Sequence, residues 1–249
     1  MPYTYPSNDP EDYIFFWKVT DTHGWASQWY HSPFKARIQL RIDIHNSSSS
    51  SPDHGHGHSH DLPGDNEGPV VIESEDEILF PTAEHWMMAC KALLFGDRDV
   101  FTQIIHTTHI PSTSYTTDRD SSQLPEPTLQ KIKSLGRAIA NFNEPLWFAA
   151  RTQIVLHGNL HKFRQNSYLR RKLLETGERR LVEASPVDRI WGVGYGEGRA
   201  LSMKGRDGGG WGLNLLGGVL MDVRRVLRGE EEAAAAAEDG LGRVYSGVY

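Results

Sequence analysis

The residues between positions 81 and 91 combine a carboxylate and an amine at a spacing that suits catalysis. Glu84 and Lys91 are seven residues apart, which in a helix is two turns, so both side chains project from one face with their Cα atoms about 10 Å apart. Cys90 and Ala92 flank the lysine, and loss of water around an amine lowers its pKa toward nucleophilic competence. The alternative is that Glu84 only complements the helix dipole and that Lys91 is a solvated surface amine.

A second candidate region contains two carboxylates and a tryptophan. Glu183 lies in a predicted strand, and Asp188 and Trp191 follow in a glycine-rich loop. Glycine permits close approach of the backbone to a ligand. This composition is typical of a nucleoside pocket in which Trp191 stacks on a planar base, although a core tryptophan is the alternative. The glycines at 192–198 do not predict a Rossmann phosphate loop, because no helix is evident before Leu213.

A third candidate is the aromatic-rich segment 24–34, which leads into the first predicted strand. It contains Trp29 beside Ser27, Gln28 and His31. These polar side chains can hydrogen-bond to the edge of a ligand, and core packing explains the aromatic residues equally well. Both interpretations of Trp29 remain open at this point.

Charge is distributed unevenly along the chain. The net charge is −6 over 249 residues, with −12 in residues 1–129 and +6 in residues 130–249. Residues 131–180 carry 11 basic and 3 acidic side chains. This stretch indicates either an anionic ligand such as a phosphate or a set of solvated helix faces. A net acidic chain argues against a dedicated nucleic-acid-binding protein, which usually contains a basic domain.

The elements that must position these residues begin with two predicted strands. Residues 37–44 alternate apolar and polar side chains and residues 77–80 form a short apolar run, which predicts the two strands of a hairpin. Between them, residues 47–69 consist mainly of Ser, Gly, His and Pro and predict a disordered insertion. Its four histidines, His54, His56, His58 and His60, are of a type that can bind a transition metal, but a flexible loop must first be ordered around the ion, so we expect no metal site. A second insertion is predicted at 107–127.

Helices dominate the rest of the chain. The spacing of apolar residues predicts a last helix with one apolar face, a short strand at 180–184, and helices at 83–95, 129–142, 145–157 and 160–175, with Gly158-Asn159 as the stop between the last two. Early strands, helices in bulk and one late strand predict an α+β fold, a compact helix-rich single domain over residues 1–229 with a small antiparallel sheet. Residues 230–249 predict a low-complexity tail, either a solvated helical extension or disorder.

The sequence predicts neither a membrane protein nor a secreted one. No apolar run reaches the roughly 18 residues of a membrane span, and the acidic start lacks the basic and apolar regions of a signal peptide. Cys90 is the only cysteine, which excludes an internal disulfide and fits a reducing compartment. We therefore expect a cytoplasmic protein, and a nuclear location is also compatible.

Seven short motifs resemble the NADAR domain, also called the YbiA-like family. They follow the family order from about residue 14 to residue 228, and they are Trp29-Tyr30-His31-Ser32-Pro33-Phe34, Pro81-Thr82-Ala83-Glu84-His85-Trp86 with Lys91, Leu135-Gly136-Arg137, Lys162-Phe163-Arg164-Gln165-Asn166, Leu181-Val182-Glu183-Ala184-Ser185, Asp188-Arg189-Ile190-Trp191-Gly192 and Gly212-Leu213-Asn214-Leu215-Leu216-Gly217. One departure is Ser27-Gln28-Trp29, where the family usually has Ser-Asn-Phe, and it bears on base selectivity.

The resemblance implies a YbiA-like α+β fold and an N-glycosidase, a hydrolase acting on N-glycosyl compounds. Some members of the family hydrolyse ribosylamino-pyrimidine intermediates of riboflavin synthesis, and others remove ADP-ribose from guanine bases. The implied partner is thus a phosphorylated nucleoside-like small molecule or an ADP-ribosylated guanine. No cofactor and no metal ion are implied.

The resemblance also implies roles for individual residues. Glu84, Lys91 and Asp188 are the expected catalytic residues, with the lysine amine forming an imine with the opened sugar. Binding residues are expected to be Trp191, Glu183, Arg137, Trp29, Lys162 and Arg164, of which the three basic ones are phosphate contacts.

Two other functions remain open from the sequence. A non-catalytic module that binds ADP-ribose or NAD needs the same pocket without turnover, and the presence of both Glu84 and Lys91 counts against it. A scaffold that recruits a partner or a metal through the histidine-rich insertion rests on composition alone. The sequence leaves the base, the sugar phosphate and the oligomeric state undetermined.

Overall fold

The computed structural model describes residues 9–44, 68–107, 126–206 and 208–245. Most of both predicted insertions, including the whole histidine-rich run, lies outside these residues, and so does the end of the predicted C-terminal tail. The described chain has the helix-rich α+β fold that the sequence predicts. None of its described helices is long and apolar enough to cross a membrane.

The strands form three separate pairs. β1 (Tyr13–Phe16) runs parallel to β6 (Arg180–Glu183), with Phe16 opposite Glu183. The two antiparallel pairs are β2 (Phe34–Ala36) with β5 (Ile78–Phe80), and β3 (Gln39–Ile42) with β4 (Val70–Glu73). The predicted hairpin therefore had the wrong partner. The alternating strand pairs with residues 70–73 at the end of the insertion, because residues 78–80 pair with β2. The described strands therefore form three small pairs and not one antiparallel sheet.

The predicted helical segments are largely helical, but the break between two of them lies elsewhere and two further helices are present. Their bounds are α1 Ala83–Leu94, α2 Arg98–His106, α3 Glu126–Ala138, α4 Glu144–Gln165, α5 Ser167–Leu174, α6 Glu197–Met203 and α7 Leu215–Tyr245. The predicted stop at Gly158-Asn159 was wrong, because α4 runs straight through both residues. The helix ends at Gln165 instead, and Oδ1 of the next residue, Asn166, caps α5 by accepting the N–H of Leu169. Helices α2 and α6 were not predicted.

Helix α1 is the centre of the core. Ten of its twelve residues are buried, as expected for a helix that is apolar on nearly every side. Thr82 caps its start by accepting the N–H of His85, and Trp86 donates its indole N–H to the carbonyl of Ile154 in α4 at 2.9 Å. The helix that carries Glu84 and Lys91 is thus held on several sides and has little freedom to shift.

Gly158 explains why α4 carries a glycine in mid-helix. A Cβ atom at this position would lie 2.4 Å from Cδ1 of Trp86, a side chain with no exposed surface. The glycine therefore allows α4 to approach the indole ring of α1 closely. Gly158 is thus required by the contact with Trp86 and does not end the helix.

We expect Gly158→Ala to lower the free energy of unfolding by about 1–3 kcal/mol, since the added methyl group overpacks the contact with Trp86. Gly229→Ala in α7 is the matched control, because a Cβ there meets open space, and it should raise the free energy of unfolding by about 0.5–1 kcal/mol. Urea denaturation of the two variants checks this. Stabilisation by both alanines would show that α4 does not pack on Trp86 as described.

Candidate active site

Three acidic side chains from different elements lie close enough to interact electrostatically in the folded protein. Glu84 lies in the first turn of α1, Glu183 ends β6, and Asp188 lies in the turn that follows. The charges of Glu183 and Asp188 both raise the pKa of Glu84. The structure therefore brings together the carboxylates that the sequence singled out in two distant segments.

Glu84 is the most deeply buried of the three. Only 7% of its surface is exposed, and its backbone N–H donates to the carbonyl of Gln28 at 3.1 Å. Burial raises its pKa to about 8, the ammonium of Lys133 lowers it, and the neighbouring carboxylates raise it again. A carboxyl group with this pKa holds its proton at neutral pH, which is the state that a general acid needs.

Glu183 presents an unsatisfied oxygen to the same region. Its backbone N–H donates to Oδ1 of Asn214 at 2.9 Å. Its Oε2 is buried and has no hydrogen-bond partner among the described atoms. Burial, followed by the charge of Asp188, raises the pKa of Glu183 to about 8. A buried carboxyl oxygen without a partner is costly in free energy, and a bound ligand with a donor would relieve that cost.

Asp188 fixes the turn that carries Trp191. Its Oδ1 accepts the backbone N–H groups of Ile190 at 2.7 Å and of Trp191 at 2.8 Å. A Cβ at Gly192 would lie 2.7 Å from the carbonyl oxygen of Glu183, so the glycine is needed for the close approach of the turn to the end of β6. Trp191 is half-buried against the main core, which leaves part of its ring accessible.

Lys91 lies two turns after Glu84 and is half-buried. Its Nζ donates to the carbonyl of Gly136 at 2.9 Å and lies 4.6 Å from the ring centroid of Phe142 and 5.4 Å from that of Trp147. Burial lowers the pKa of this amine, and the charge of Glu84 acts in the opposite direction. The aromatic rings and the carbonyl orient the amine, and its reduced proton affinity suits a nucleophile.

Lys133 belongs to the same group and was missed by the sequence analysis. This exposed lysine of α3 places its Nζ 4.8 Å from the ring centroid of Trp29. Its charge lowers the pKa of Glu84 more strongly than that of Lys91 does. The sequence feature that pointed to Lys133 was its position one turn before Gly136 of the Leu135-Gly136-Arg137 motif. A lysine on an amphipathic helix is, however, ordinarily interpreted as solvated.

Two of the expected phosphate contacts have other partners. Lys162 has no exposed surface, and its Nζ donates to the carbonyls of Trp25 at 2.9 Å and Ser27 at 3.0 Å. Burial lowers its pKa to about 7. Arg164 pairs with Glu230 of α7 at 2.6 Å. The structure therefore does not bring these two residues to the carboxylates.

The remaining expected binding residues lie closer to the site. Arg137 is exposed in the last turn of α3, next to the Gly136 carbonyl that holds Lys91. Trp29 is half-buried beneath Lys133. Gln28, at the position that departs from the family motif, is buried, and its Oε1 accepts a hydrogen bond from Nδ2 of Asn159 at 3.0 Å. Its side-chain oxygen is thus engaged with α4 and not directed at a ligand.

The described part of the chain has no group of three or more His, Cys, Asp or Glu side chains that could hold a metal ion. The carboxylates and amines of the site are groups that can serve as acid, base and nucleophile. Together they can protonate a leaving group, stabilise a nearby cation and attack an electrophilic carbon.

Comparison with known proteins identifies the family. N-glycosidase R617 of Acanthamoeba polyphaga mimivirus is 40% identical over 154 residues, which are 61% of this chain and 78% of that protein. Protein irg-1 of Caenorhabditis elegans is 34% identical over 173 residues, 68% of this chain and 71% of that protein. N-glycosidase Npun_R5314 of Nostoc punctiforme is 35% identical over 101 residues, 41% of this chain and 56% of that protein.

A family model matches most of the chain, and one solved structure shows a weaker similarity. The NMR structure of the E. coli protein YbiA is similar over 88% of this chain and 86% of that one, with 21% sequence identity and a TM-score of 0.48. The model of the NADAR domain matches residues 15–228, a range that contains every member of the site. The chain therefore belongs to the NADAR domain family.

Proposed function

We propose that this protein is an N-glycosidase, a hydrolase that cleaves the bond between a ribosyl group and a base. Two of its relatives carry the name N-glycosidase. The observation that carries the proposal is Glu84, a buried carboxyl group with a pKa of about 8 on the same helix face as a half-buried lysine. Removal of a base requires a proton donor of this kind, because the nitrogen that leaves must be protonated.

The carboxylates suit the charge that develops at the sugar. As the bond from C1′ to the base nitrogen breaks, the ribosyl group acquires oxocarbenium character, and a negative charge nearby stabilises it. Asp188, fixed by two backbone N–H groups, supplies such a charge. Glu84 gives its proton to the departing nitrogen. Trp191 and Trp29 are the aromatic surfaces on which the base would stack.

Lys91 supports a covalent route for the same reaction. In its neutral form the amine adds to C1′ as the bond to the base breaks, and the base leaves with the proton of Glu84. One amine proton then returns to Glu84, and the other passes to the former ring oxygen as the sugar opens to give an imine. Water then adds to the imine carbon and the amine is released, so that the net change is hydrolysis. The amine's lowered pKa favours the neutral form that this route needs.

The substrate is proposed to be either a ribosylamino-pyrimidine phosphate of riboflavin synthesis or ADP-ribosylated guanine. Both carry a planar base and phosphate groups. Lys133, whose charge acts on Glu84, and Arg137, exposed on the same helix, are the basic side chains of α3 that we propose as phosphate contacts. Incubation of the protein with each compound, followed by chromatography of the released base, tests the proposal. Binding without release of base from either compound would favour the non-catalytic ADP-ribose module.

We expect Glu84→Gln to lower kcat by about 100-fold or more, as loss of a general acid does. The same variant should gain stability relative to the wild type as the pH rises. The folded wild type keeps the Glu84 proton up to about pH 8, whereas the unfolded chain loses it near pH 4.5, so wild-type stability falls between these values. The difference in the free energy of unfolding should grow by up to about 1.4 kcal/mol per pH unit in that window.

The exposed Glu77 provides the control for this prediction. Glu77→Gln should leave both kcat and the pH dependence of unfolding unchanged. Activity assays and urea denaturation at a series of pH values measure both quantities. A Glu84→Gln protein with wild-type activity would remove the general acid from the proposal, and a flat stability difference would show that Glu84 is ionised in the folded protein.

Borohydride trapping tests the role of Lys91. Reduction during turnover should leave a ribosyl adduct on the Lys91 peptide, visible by mass spectrometry. Lys91→Arg should form no adduct and lose turnover, because a guanidinium stays protonated and cannot attack. Lys133→Arg is the control and should still form the adduct at Lys91. Full activity of Lys91→Arg without any adduct would exclude the covalent route and leave direct attack by water.

A further inference from the structure

A cluster of arginines, separate from Lys91 and Lys133, lies on the side of the fold where β6 begins. A cavity of about 370 Å³ between this strand and α7 is lined by Arg180, Arg224, Arg225 and Arg228, with Glu178 and Asp222 beside them. This volume falls in the range of small-molecule sites. None of these residues belongs to the group around Glu84.

Two of the arginines are held in place by the turn that precedes β6. Arg224, only 5% exposed, donates from Nη1 to Oγ1 of Thr176 at 2.7 Å and to the carbonyl of Arg179 at 2.8 Å. Arg228 donates to the carbonyl of Gly177 at 3.0 Å and pairs with Glu178. Guanidinium groups fixed in this way lose little conformational freedom when an anion binds.

The charges in the cavity are not balanced. Arg225 pairs with Asp222 at 2.6 Å and Arg228 pairs with Glu178, so the four arginines exceed the two carboxylates by two positive charges. No ion pair in the described residues involves Arg180. Burial lowers the pKa of Arg224, Glu178 opposes this, and the charges of Arg228, Arg179 and Arg225 lower it further. A bound anion would relieve this repulsion.

We propose that this cavity is a binding site for a small phosphate-bearing molecule. The planar guanidinium group matches the geometry of phosphate oxygens and can bind two of them at once, and an excess of two positive charges suits a doubly charged phosphoryl group. A nucleic acid is the less suitable occupant. An extended phosphate backbone would reach beyond the cavity over a chain whose net charge is −6, which disfavours it.

The site is separate from the candidate active site. Arg180 precedes Glu183 by three residues in β6, which is about 10 Å along a strand. An odd separation also directs the two side chains to opposite faces of the strand. The proposal is therefore independent of the N-glycosidase activity, and it adds a second ligand site to the protein.

Calorimetric titration of the full chain with inorganic pyrophosphate at about 0.15 M salt tests the proposal. We expect saturable binding to one site and an affinity at least tenfold lower in the double variant R180Q/R225Q. These two arginines are exposed and do not hold the turn, so their removal leaves the contacts of Arg224 and Arg228 intact. The single variants R180Q and R225Q, each expected to bind more weakly than the wild type, provide the test if the double variant does not fold.

Arg171→Gln is the matched control, because Arg171 is an exposed arginine outside the cavity that, like Arg225, has an acidic partner one helical turn away. It should bind pyrophosphate as the wild type does. Absence of saturable binding, equal affinity of R180Q/R225Q and the wild type, or an equal loss in Arg171→Gln would overturn the proposal. So would loss of binding in Lys133→Gln with retention in R180Q/R225Q, which would assign the anion to the active site.

Discussion

The burial of one carboxyl group, that of Glu84, is the constraint on which the rest of the site depends. Removing an ionised carboxylate from water is costly, so a buried carboxyl group keeps its proton unless a positive charge compensates. The fold imposes this burial through α1, ten of whose residues are buried. Thr82 caps the helix, Gln28 accepts the N–H of Glu84, and Trp86 anchors the next turn to α4. The reactive proton is therefore held by the core itself.

Two amines and two carboxylates then adjust the proton affinity of Glu84 in opposite directions. Glu183 and Asp188 raise its pKa, and Lys133 and Lys91 lower it. Both amines depend on α3, since this helix carries Lys133 and its Gly136 carbonyl accepts the Nζ of Lys91. Any displacement of α3 would therefore change the acidity of Glu84 and the orientation of Lys91 together. This helix is thus an electrostatic part of the site, whereas the basic stretch 131–180 in the sequence left both a ligand and a solvated surface open.

The sequence was sufficient for the fold class, for the helix that carries Glu84 and Lys91, and for the turn at Asp188, because local spacing and capping determine these. It failed where distant segments decide the outcome. Alternation in 37–44 predicts a strand but not its partner, and the parallel pairing of β1 with β6 joins residues more than 160 positions apart. The helix break expected at Gly158 does not occur, because the glycine serves a contact with Trp86 that only the packed structure reveals.

The motif Lys162-Phe163-Arg164-Gln165-Asn166 illustrates why charge alone did not identify the binding residues. Its polar side chains hold the preceding loop and strand: Lys162 bonds two loop carbonyls, Gln165 bonds both backbone groups of Lys35, and Asn166 donates to Oγ of Ser32.

A phosphate contact needs an accessible charge, whereas a loop anchor needs only donors. Burial lowers the pKa of Lys162 to about 7, and a neutral amine still has two N–H groups, as many as the carbonyls it serves. Lys162 can therefore keep both hydrogen bonds when its amine is neutral. This allows a lysine to occupy a fully buried position beneath the loop that carries Trp29.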